Sequence, residues 1–586
     1  MTSTRSLVAR LRGAKIGFLG IGAGAAFLAL TLPRPSQAAF PPSAEGHTLA
    51  AATDHAEATR AAVEVMTAGG NAIDGAIAAA LTLGVVNPSA SGIGGGGFAM
   101  VYTAKDQKVT VLDFRETAPA TYSSELLFPP PKPGEKPKSR WAWTGPKGWV
   151  VGVPGEPAGL EELSRRFAKK SLATDAAHAI ALAQNGFVVG KHTAEQVAAF
   201  KERLATVPSM ASSFLPGGQP VPFATRVKRP ELAATLSRYA THGKAWIYGG
   251  PTAQKIVDAV KAAGGTMTLD DLASYKVKER APLSRTIDGR TVYTMPAPSA
   301  GGLMLLETLG MYGASSSSSL APMGFGSSAY LHTIAEAMRG AFADRARIAS
   351  DPDIEPGVDA AYQSALDPAQ LAARKAKIDP QKTHAPAEFK TRESGTSHLV
   401  TVDAEGNVVS LTTTVNGPFG ASITAGDTGI LLNNELDDFT AADDVKVFGV
   451  KDGGPNRPRP RARPVSSMTP TIVIENGAPI LALGGSGGTR IATGVTQAAL
   501  ARLVFDLDPS ACVSHPRVHT QGADLMVDRE IPQDVRYGLG ARGETVKDEP
   551  FAGSAIQMIA WSRPAGQPVR ILAASDPRKV GFSAAR

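Results

Sequence analysis

Along the first part of the chain, Glu57 to Val85 is alanine-rich with helical spacing of its apolar positions, and Gly69-Gly70-Asn71 inside it predicts one helix end followed by a new helix start. The glycine run Gly92 to Gly97 then leads into Phe98-Ala99-Met100-Val101-Tyr102, a short strand. Helical patterns return at Glu156 to Ala168, Thr174 to Asn185, Thr193 to Leu204, Leu232 to Tyr239 and Ala253 to Ala263, so the middle of the chain is predicted mainly α. Two longer helices are predicted at Gly301 to Tyr312 and Ala329 to Ala349, separated by the low-complexity stretch Ser315 to Ser319. Between Ser364 and Lys390 the periodicity fades into Lys, Asp, Gln and Pro, which predicts an exposed, flexible connector.

From Ser397 onward the pattern changes to β-branched runs with turn residues between them: His398 to Asp403, Val408 to Val415, Gly429 to Leu432, Thr471 to Ile474 and Pro479 to Leu483. A helix over 489–505 follows, so the C-terminal third is α/β. Ala404-Glu405-Gly406 fits a three-residue hairpin turn with glycine at the left-handed position. Pairing Asp403 with Asn407 puts Thr396, which follows the connector and Gly395, directly opposite Thr414. Thr-Thr pairs also serve packing in sheets, so this juxtaposition alone assigns no chemistry.

Composition narrows the classes. The 586 residues, 43% hydrophobic and 19% charged, suit a globular chain with one large core or several domains. The formal charge of +7 raises the question of a polyanion partner. Five of the basic side chains, Arg5, Arg10, Arg12, Lys15 and Arg34, fall within residues 1–40 without one acidic residue, leaving about +2 for the rest. No nucleic-acid partner is implied. The cluster Arg457, Arg459, Arg461 and Arg463 alternates with prolines, lacks interleaved aromatics and is expected to be a solvated loop. The N-terminal basic residues precede an apolar run from Ile16 to Leu32 and the small residues Ser36-Gln37-Ala38-Ala39, the order of an export signal over residues 1–39. An uncleaved membrane anchor is the alternative. Cys512 is the single cysteine, so no intrachain disulfide forms. With scattered histidines and no metal-ligand motif, neither metal nor cofactor is expected.

Two glycine motifs invite chemistry. Gly92-x-Gly94-x-x-Gly97 spells a dinucleotide pattern, but a helix precedes it and a strand follows, the reverse of what a pyrophosphate cradle needs. A packed glycine turn is the better reading. Gly484-Gly485-Ser486-Gly487-Gly488 fits a nucleophile elbow between strand and helix. Only His515 and His519 follow it, too close to complete a triad, while consecutive N–H groups at a helix start suit an oxyanion.

Several segments together resemble the γ-glutamyltransferases, of the N-terminal nucleophile hydrolase class. They are Ala68-Gly69-Gly70-Asn71-Ala72 with Asp74, Ser91 to Phe98, Asp113-Phe114-Arg115-Glu116-Thr117-Ala118-Pro119, Gly152-Val153-Pro154-Gly155-Glu156 and Pro298-Ser299-Ala300-Gly301-Gly302. Gly395 to Leu399, Gly429 to Glu435 with Asp437-Asp438-Phe439, and Pro464 to Met468 continue the series in order.

The resemblance implies an α+β fold, a four-layer αββα sandwich built from two chains after self-cleavage between Gly395 and Thr396. A large subunit over 40–395 and a small subunit over 396–586 would form a heterodimer. By the same resemblance Thr396 is the nucleophile, its freed α-amine the base, Thr414 the residue orienting the hydroxyl, and Gly487 and Gly488 the oxyanion donors. Arg115 matches the carboxylate clamp, Ser466 and Ser467 the hydroxyl donors, and Asn416, Glu435 and Asp438 the groups that receive the ammonium of a γ-glutamyl donor. Glutathione is the expected donor, and water, an amino acid or a peptide the acceptor. The segment from Ala441 to Pro464 would be a lid, with Phe448 near an aromatic gate. Ser486 departs from the family, where proline is frequent, as does Val400, where serine is. A cephalosporin-acylase-like or poly-γ-glutamate-processing enzyme is the alternative within the fold, and an exported solute-binding protein the alternative outside it. A periplasmic location is expected, with secretion second.

Overall fold

The structure, a computed structural model, describes residues 42–127, 147–384, 388–389, 395–440, 445–446, 454–550, 552–564 and 566–586. The export-signal residues, the lid segment's middle and Phe448 lie outside this set.

Strands whose two faces are both buried read as continuous apolar or hydroxyl-bearing runs, and they need a layer on each side. Fourteen described strands form two seven-stranded sheets. In chain order they are β1 (Ala44–Gly46), β2 (Ala50–Thr53), β3 (Gly96–Thr103), β4 (Lys108–Phe114), β5 (Lys278–Arg280), β6 (Leu283–Ile287) and β7 (Arg290–Thr294). There follow β8 (Ser397–Val402), β9 (Val408–Thr414), β10 (Thr471–Glu475), β11 (Ala478–Ser486), β12 (Ala555–Ser562), β13 (Arg570–Ser575) and β14 (Phe582–Ala585). The first sheet runs β1-β13-β12-β11-β10-β7-β6 and the second β14-β2-β8-β9-β3-β4-β5.

The sheets pack on each other through β8, β9, β11 and β12. Helices α1 (Ala56–Thr67), α2 (Ala72–Val86) and α3 (Glu156–Phe167) belong to the layer over the second sheet. Helices α4 (Gly301–Tyr312), α5 (Ser328–Ile348), α6 (Pro368–Lys375) and α7 (Arg490–Leu503) belong to the layer over the first. This is the αββα order that the family resemblance implied. Alternation along β8 sends Leu399 into the core beneath α2 and sends Val400 and Val402 into the core between the sheets. Helix α2 is buried at all of its residues, and a capping box between Asn71 and Asp74 starts it where Gly69-Gly70 ended α1. The glycine run closes tightly, since a Cβ on Gly95 would sit 1.9 Å from the Thr414 carbonyl oxygen.

Several expectations need correction. Gly429 to Leu432 is no strand; it meets Thr424 through the isolated bridge at Leu431. Thr193 to Leu204 is two short helices, Lys191–Ala199 and Lys201–Ala205. The cluster around Arg457 is solvated only in part: Arg457 and Arg461 are exposed, whereas Arg463 is buried, with its Nε 3.4 Å from Asp113 and an Nη donating to the Lys276 carbonyl at 2.9 Å. Cys512 is buried, and burial pushes its thiol up to about 12, which leaves it unreactive.

The connector is also more ordered than its composition suggests. Helix α6 packs on α4, and the following residues are tied to α5 by buried charges. His332 Nδ1 lies 2.7 Å from Glu544, and its Nε2 lies 3.0 Å from the Asp379 carbonyl oxygen. Thr383 donates to Glu336 at 2.8 Å, and Arg339 joins Glu336 and Glu544, both at 2.5 Å. The connector is therefore tied through the Asp379 carbonyl and the Thr383 hydroxyl to a buried charge network on α5 and Glu544. Burial opposes a charge on His332, and the bonds to Glu544 and Asp379 outweigh it and raise its pKa. A histidine with a raised folded pKa stabilises fully below its unfolded value of about 6.5, and that contribution disappears as pH rises through the folded value. His332→Gln should therefore lower the melting temperature most at pH 6 and least at pH 9; a deficit that does not vary with pH would refute the charged anchor.

Candidate active site

The hairpin register puts Ser397 opposite Thr413 and His398 opposite Thr412, which continues to Thr396 opposite Thr414. Asp403 accepts from the N–H groups of Glu405 and Asn407, and Gly406 takes φ 85°, so the turn is the one the sequence predicts. Thr396 Oγ1 and Thr414 Oγ1 are 3.1 Å apart and buried. Thr414 Oγ1 also accepts from the Asn416 N–H at 2.8 Å, which leaves its own proton free to be donated towards Thr396. His398, two residues along the same face, has its ring nitrogens on Thr412 at 2.8 Å and Ser410 at 3.3 Å, and burial lowers its pKa to about 3. It is a neutral packing residue between the sheets.

The backbone at Gly395-Thr396 is unusual. Thr396 has φ 94° and Gly395 φ 98°. Positive φ in a β-branched residue costs on the order of 1–3 kcal/mol and persists only where the surroundings enforce it. Here the Ala90 carbonyl accepts from the N–H of Thr396 at 3.2 Å and from that of Val415 at 3.0 Å, while Lys579 Nζ donates to the Thr396 carbonyl at 2.8 Å. A Cβ on Gly395 would lie 2.0 Å from the Asn416 carbonyl oxygen, so only glycine fits before the threonine.

The other predicted residues divide into three groups. Gly487 and Gly488 follow β11 with φ 137° and 64° and lead into α7, whose N-terminal end carries the positive pole of the helix. Ser486 is not a nucleophile elbow: its hydroxyl donates to Asp54 at 2.8 Å and accepts from Lys579 at 2.9 Å, while His515 and His519 bond elsewhere, to the Cys512 carbonyl and to Thr493. Four of the polar pocket residues, Arg115, Asn416, Glu435 and Asp438, form one buried network. Arg115 pairs with Glu435 and with Asp438, the latter at 2.7 Å, and donates to the carbonyls of Pro464 at 2.6 Å and Val465 at 3.0 Å. Asn416 Nδ2 reaches the other oxygen of Asp438 at 3.0 Å. Ser466 accepts from the Met468 N–H at 3.1 Å, and Ser467 accepts from Arg345. The Pro298-Ser299-Ala300 segment braces this turn, with the Ser466 N–H donating to the Pro298 carbonyl at 3.0 Å and Ala300 N–H to the Ser466 carbonyl at 2.9 Å.

Sequence reading missed Lys579, Arg345, Asp54 and the Ala90 carbonyl. Lys579 and Arg345 are long-range partners with no motif around them, and a backbone carbonyl has no signature at all. It also passed over Glu116 and Glu156 as chemistry. Both are fully buried, and burial pushes each carboxyl to about 8. Glu156 accepts from Thr413, on the reverse face of the hairpin. A carboxyl with a raised folded pKa stabilises best below its unfolded value of 4.5, and the fold loses roughly 1.4 kcal/mol per pH unit for such a group until about 8. Glu156→Gln keeps an acceptor for Thr413 and should flatten that slope, measured as urea unfolding free energies at pH 5 and pH 8.

The sequence matches the family described as Gamma-glutamyltranspeptidase over residues 58–586. Glutathione hydrolase 2 of Arabidopsis thaliana is 36% identical over 560 residues, spanning 91% of this chain and 93% of that protein. The glutathione hydrolase proenzyme of Escherichia coli (strain K12) is 32% identical over 535 residues, spanning 90% and 89%. The crystal structure of cephalosporin acylase from Bacillus halodurans superposes with a TM-score of 0.79 at 25% identity, over 96% of this chain and 99% of that one.

Proposed function

From the fact that this chain belongs to the gamma-glutamyltranspeptidase family, we propose that it is a self-processing glutathione hydrolase and γ-glutamyltransferase whose nucleophile is Thr396. The observation that carries the nucleophile is the 3.1 Å hydroxyl pair Thr396–Thr414 at the start of a buried strand, where Thr396 is held at φ 94°. In the precursor, Oγ1 of Thr396 bonds to the Gly395 carbonyl carbon, the Gly395–Thr396 C–N bond breaks, and the hydroxyl proton passes to the departing nitrogen. Water then cleaves the ester, giving a Gly395 carboxylate and restoring the hydroxyl. The large subunit ends there, and the small one begins with a free α-amine whose reference pKa of about 7.7–8.0 suits it to take the hydroxyl proton in each turnover.

In turnover Oγ1 attacks the γ-carbonyl of the donor, the amine leaves with a proton, and water or an acceptor amine releases the glutamyl group. Gly487 and Gly488 offer N–H groups to the oxyanion, a contribution of about 3 kcal/mol per donor. A glutamyl α-carbon carries a carboxylate and an ammonium, and the pocket holds both complementary signs. Arg115 and the hydroxyls of Ser466 and Ser467 receive the carboxylate; Asn416, Glu435 and Asp438 receive the ammonium. These opposed charges favour a γ-glutamyl donor over the acyl side chain of a cephalosporin, the reading that the acylase likeness would otherwise support. A periplasmic site of action fits the N-terminal export pattern.

Intact mass and N-terminal sequencing should find a fragment beginning Thr-Ser-His-Leu in the wild type and only the uncut chain in Thr396→Ala. On a panel of γ-glutamyl and cephalosporin substrates, Arg115→Lys should lose at least 100-fold in kcat/KM for the γ-glutamyl donor, since one ammonium replaces a two-sided guanidinium. A wild-type protein that folds and stays uncut refutes the threonine mechanism.

A further inference from the structure

The two halves of the site sit on different sheets. Thr396 precedes β8 of the second sheet, and the Gly487-Gly488 donors follow β11 of the first. Acyl transfer needs a fixed separation between nucleophile and oxyanion donors, so something must hold the two strand ends in register across the gap. One side chain hydrogen-bonds to both: Lys579 Nζ is 2.8 Å from the Thr396 carbonyl and 2.9 Å from Ser486 Oγ, the residue immediately before Gly487.

Its setting is built for one position. Lys579 lies in the 3-10 turn Pro577–Lys579 that carries the chain from β13 in the first sheet to β14 in the second. The turn is capped by Asp576, which accepts from the Arg578 N–H at 3.0 Å and is itself held by Arg517 at 2.9 Å. Arg578 is anchored on Asp528 at 2.8 Å. The lysine is 8% exposed, and its third direction faces Asp54 Oδ2 at 3.7 Å. Asp54, directly after β2, accepts from Ser486 at 2.8 Å and from Gln557 of β12 at 2.6 Å, and so closes a ring of contacts spanning both sheets.

We propose that Lys579 is a positioning residue that locks the carbonyl of Thr396 to the strand end bearing the oxyanion donors, through Ser486, in both self-cleavage and turnover. In the precursor it holds one side of the strained Thr396 while Ala90 holds the other. After the cut it is the remaining polar restraint on the nucleophile's backbone carbonyl, and it sets where the hydroxyl points. The inference rests on Thr396 being the nucleophile.

Lys579→Met keeps the length and packing of the side chain and removes the donors. Wild type and variant would be followed for the uncut fraction at fixed times after induction, and for kcat and KM of the cut fraction on a chromogenic γ-glutamyl anilide. The variant should fold, persist uncut at least tenfold longer, and lose at least tenfold in kcat with KM within about threefold of wild type. A structural lesion of the glutamyl pocket would instead raise KM. Wild-type cutting and kcat, or a loss carried wholly by KM, overturns the proposal. Should Lys579→Met fail to fold, Ser486→Ala replaces it, with a predicted threefold or greater loss in both rates, and wild-type rates in that variant overturn the proposal equally. A wild type that never cuts refutes the threonine reading instead.

Discussion

The register of the β8–β9 hairpin is the constraint on which the site depends. Strand side chains alternate with period two, so a slip of one residue would turn Thr414 away from Thr396 and present Thr413, which now bonds Glu156 beneath the sheet. Both faces of the hairpin are buried, one under α2 and one against the first sheet, so a slip would also drive Leu399 and Val400 into each other's cores. The Asp403 turn and the Thr414 carbonyl packed on Gly95 pin the same register from opposite ends.

Around that hairpin the charges are arranged in two ways. Arg115, Glu435 and Asp438 are buried as a network, and a buried ion pair earns its place by geometry and added hydrogen bonds, which Pro464, Val465 and Asn416 provide here. Glu116 and Glu156 follow the other course. Without a cation bonded to them they hold their protons, so the floor of the site stays neutral near the charged pocket.

How much of this the sequence shows depends on how local each signal is. The hairpin, its turn and the Thr396–Thr414 pairing were legible because loop length fixes register. The capped pair α1–α2 and the helix Gly301–Tyr312 were legible from glycines at their ends and from apolar spacing. The strands β12, β13 and β14 were not: β12 and β13 do pair locally with each other, but β13 also needs β1 and β14 needs β2, partners that lie far away in the chain. Gly429 to Leu432 looked like a strand because it is apolar, yet its backbone is spent on Ala421, Ile423 and Ala425 in a compact loop. Composition also misjudged the connector, where Thr383 meets the buried carboxylate of Glu336 and the Asp379 carbonyl meets His332, contacts that local pattern cannot reveal. Every assigned pocket residue came from a family resemblance, and the geometry gathers them, but Lys579 and the Ala90 carbonyl stand outside any motif.

The sheets are interleaved across the proposed cut. In the second sheet β2 lies between β14 and β8, and β9 lies beside β3, so segments from before and after Gly395 alternate within one hydrogen-bonded layer. Once severed, the two pieces have no short covalent route back to this weave. Under the proposed cut, the uncut chain would be the form that carries the full assembly plan, and the two-chain protein would persist by the height of its unfolding barrier rather than by reversible equilibrium. Its working life would then end with its first complete unfolding.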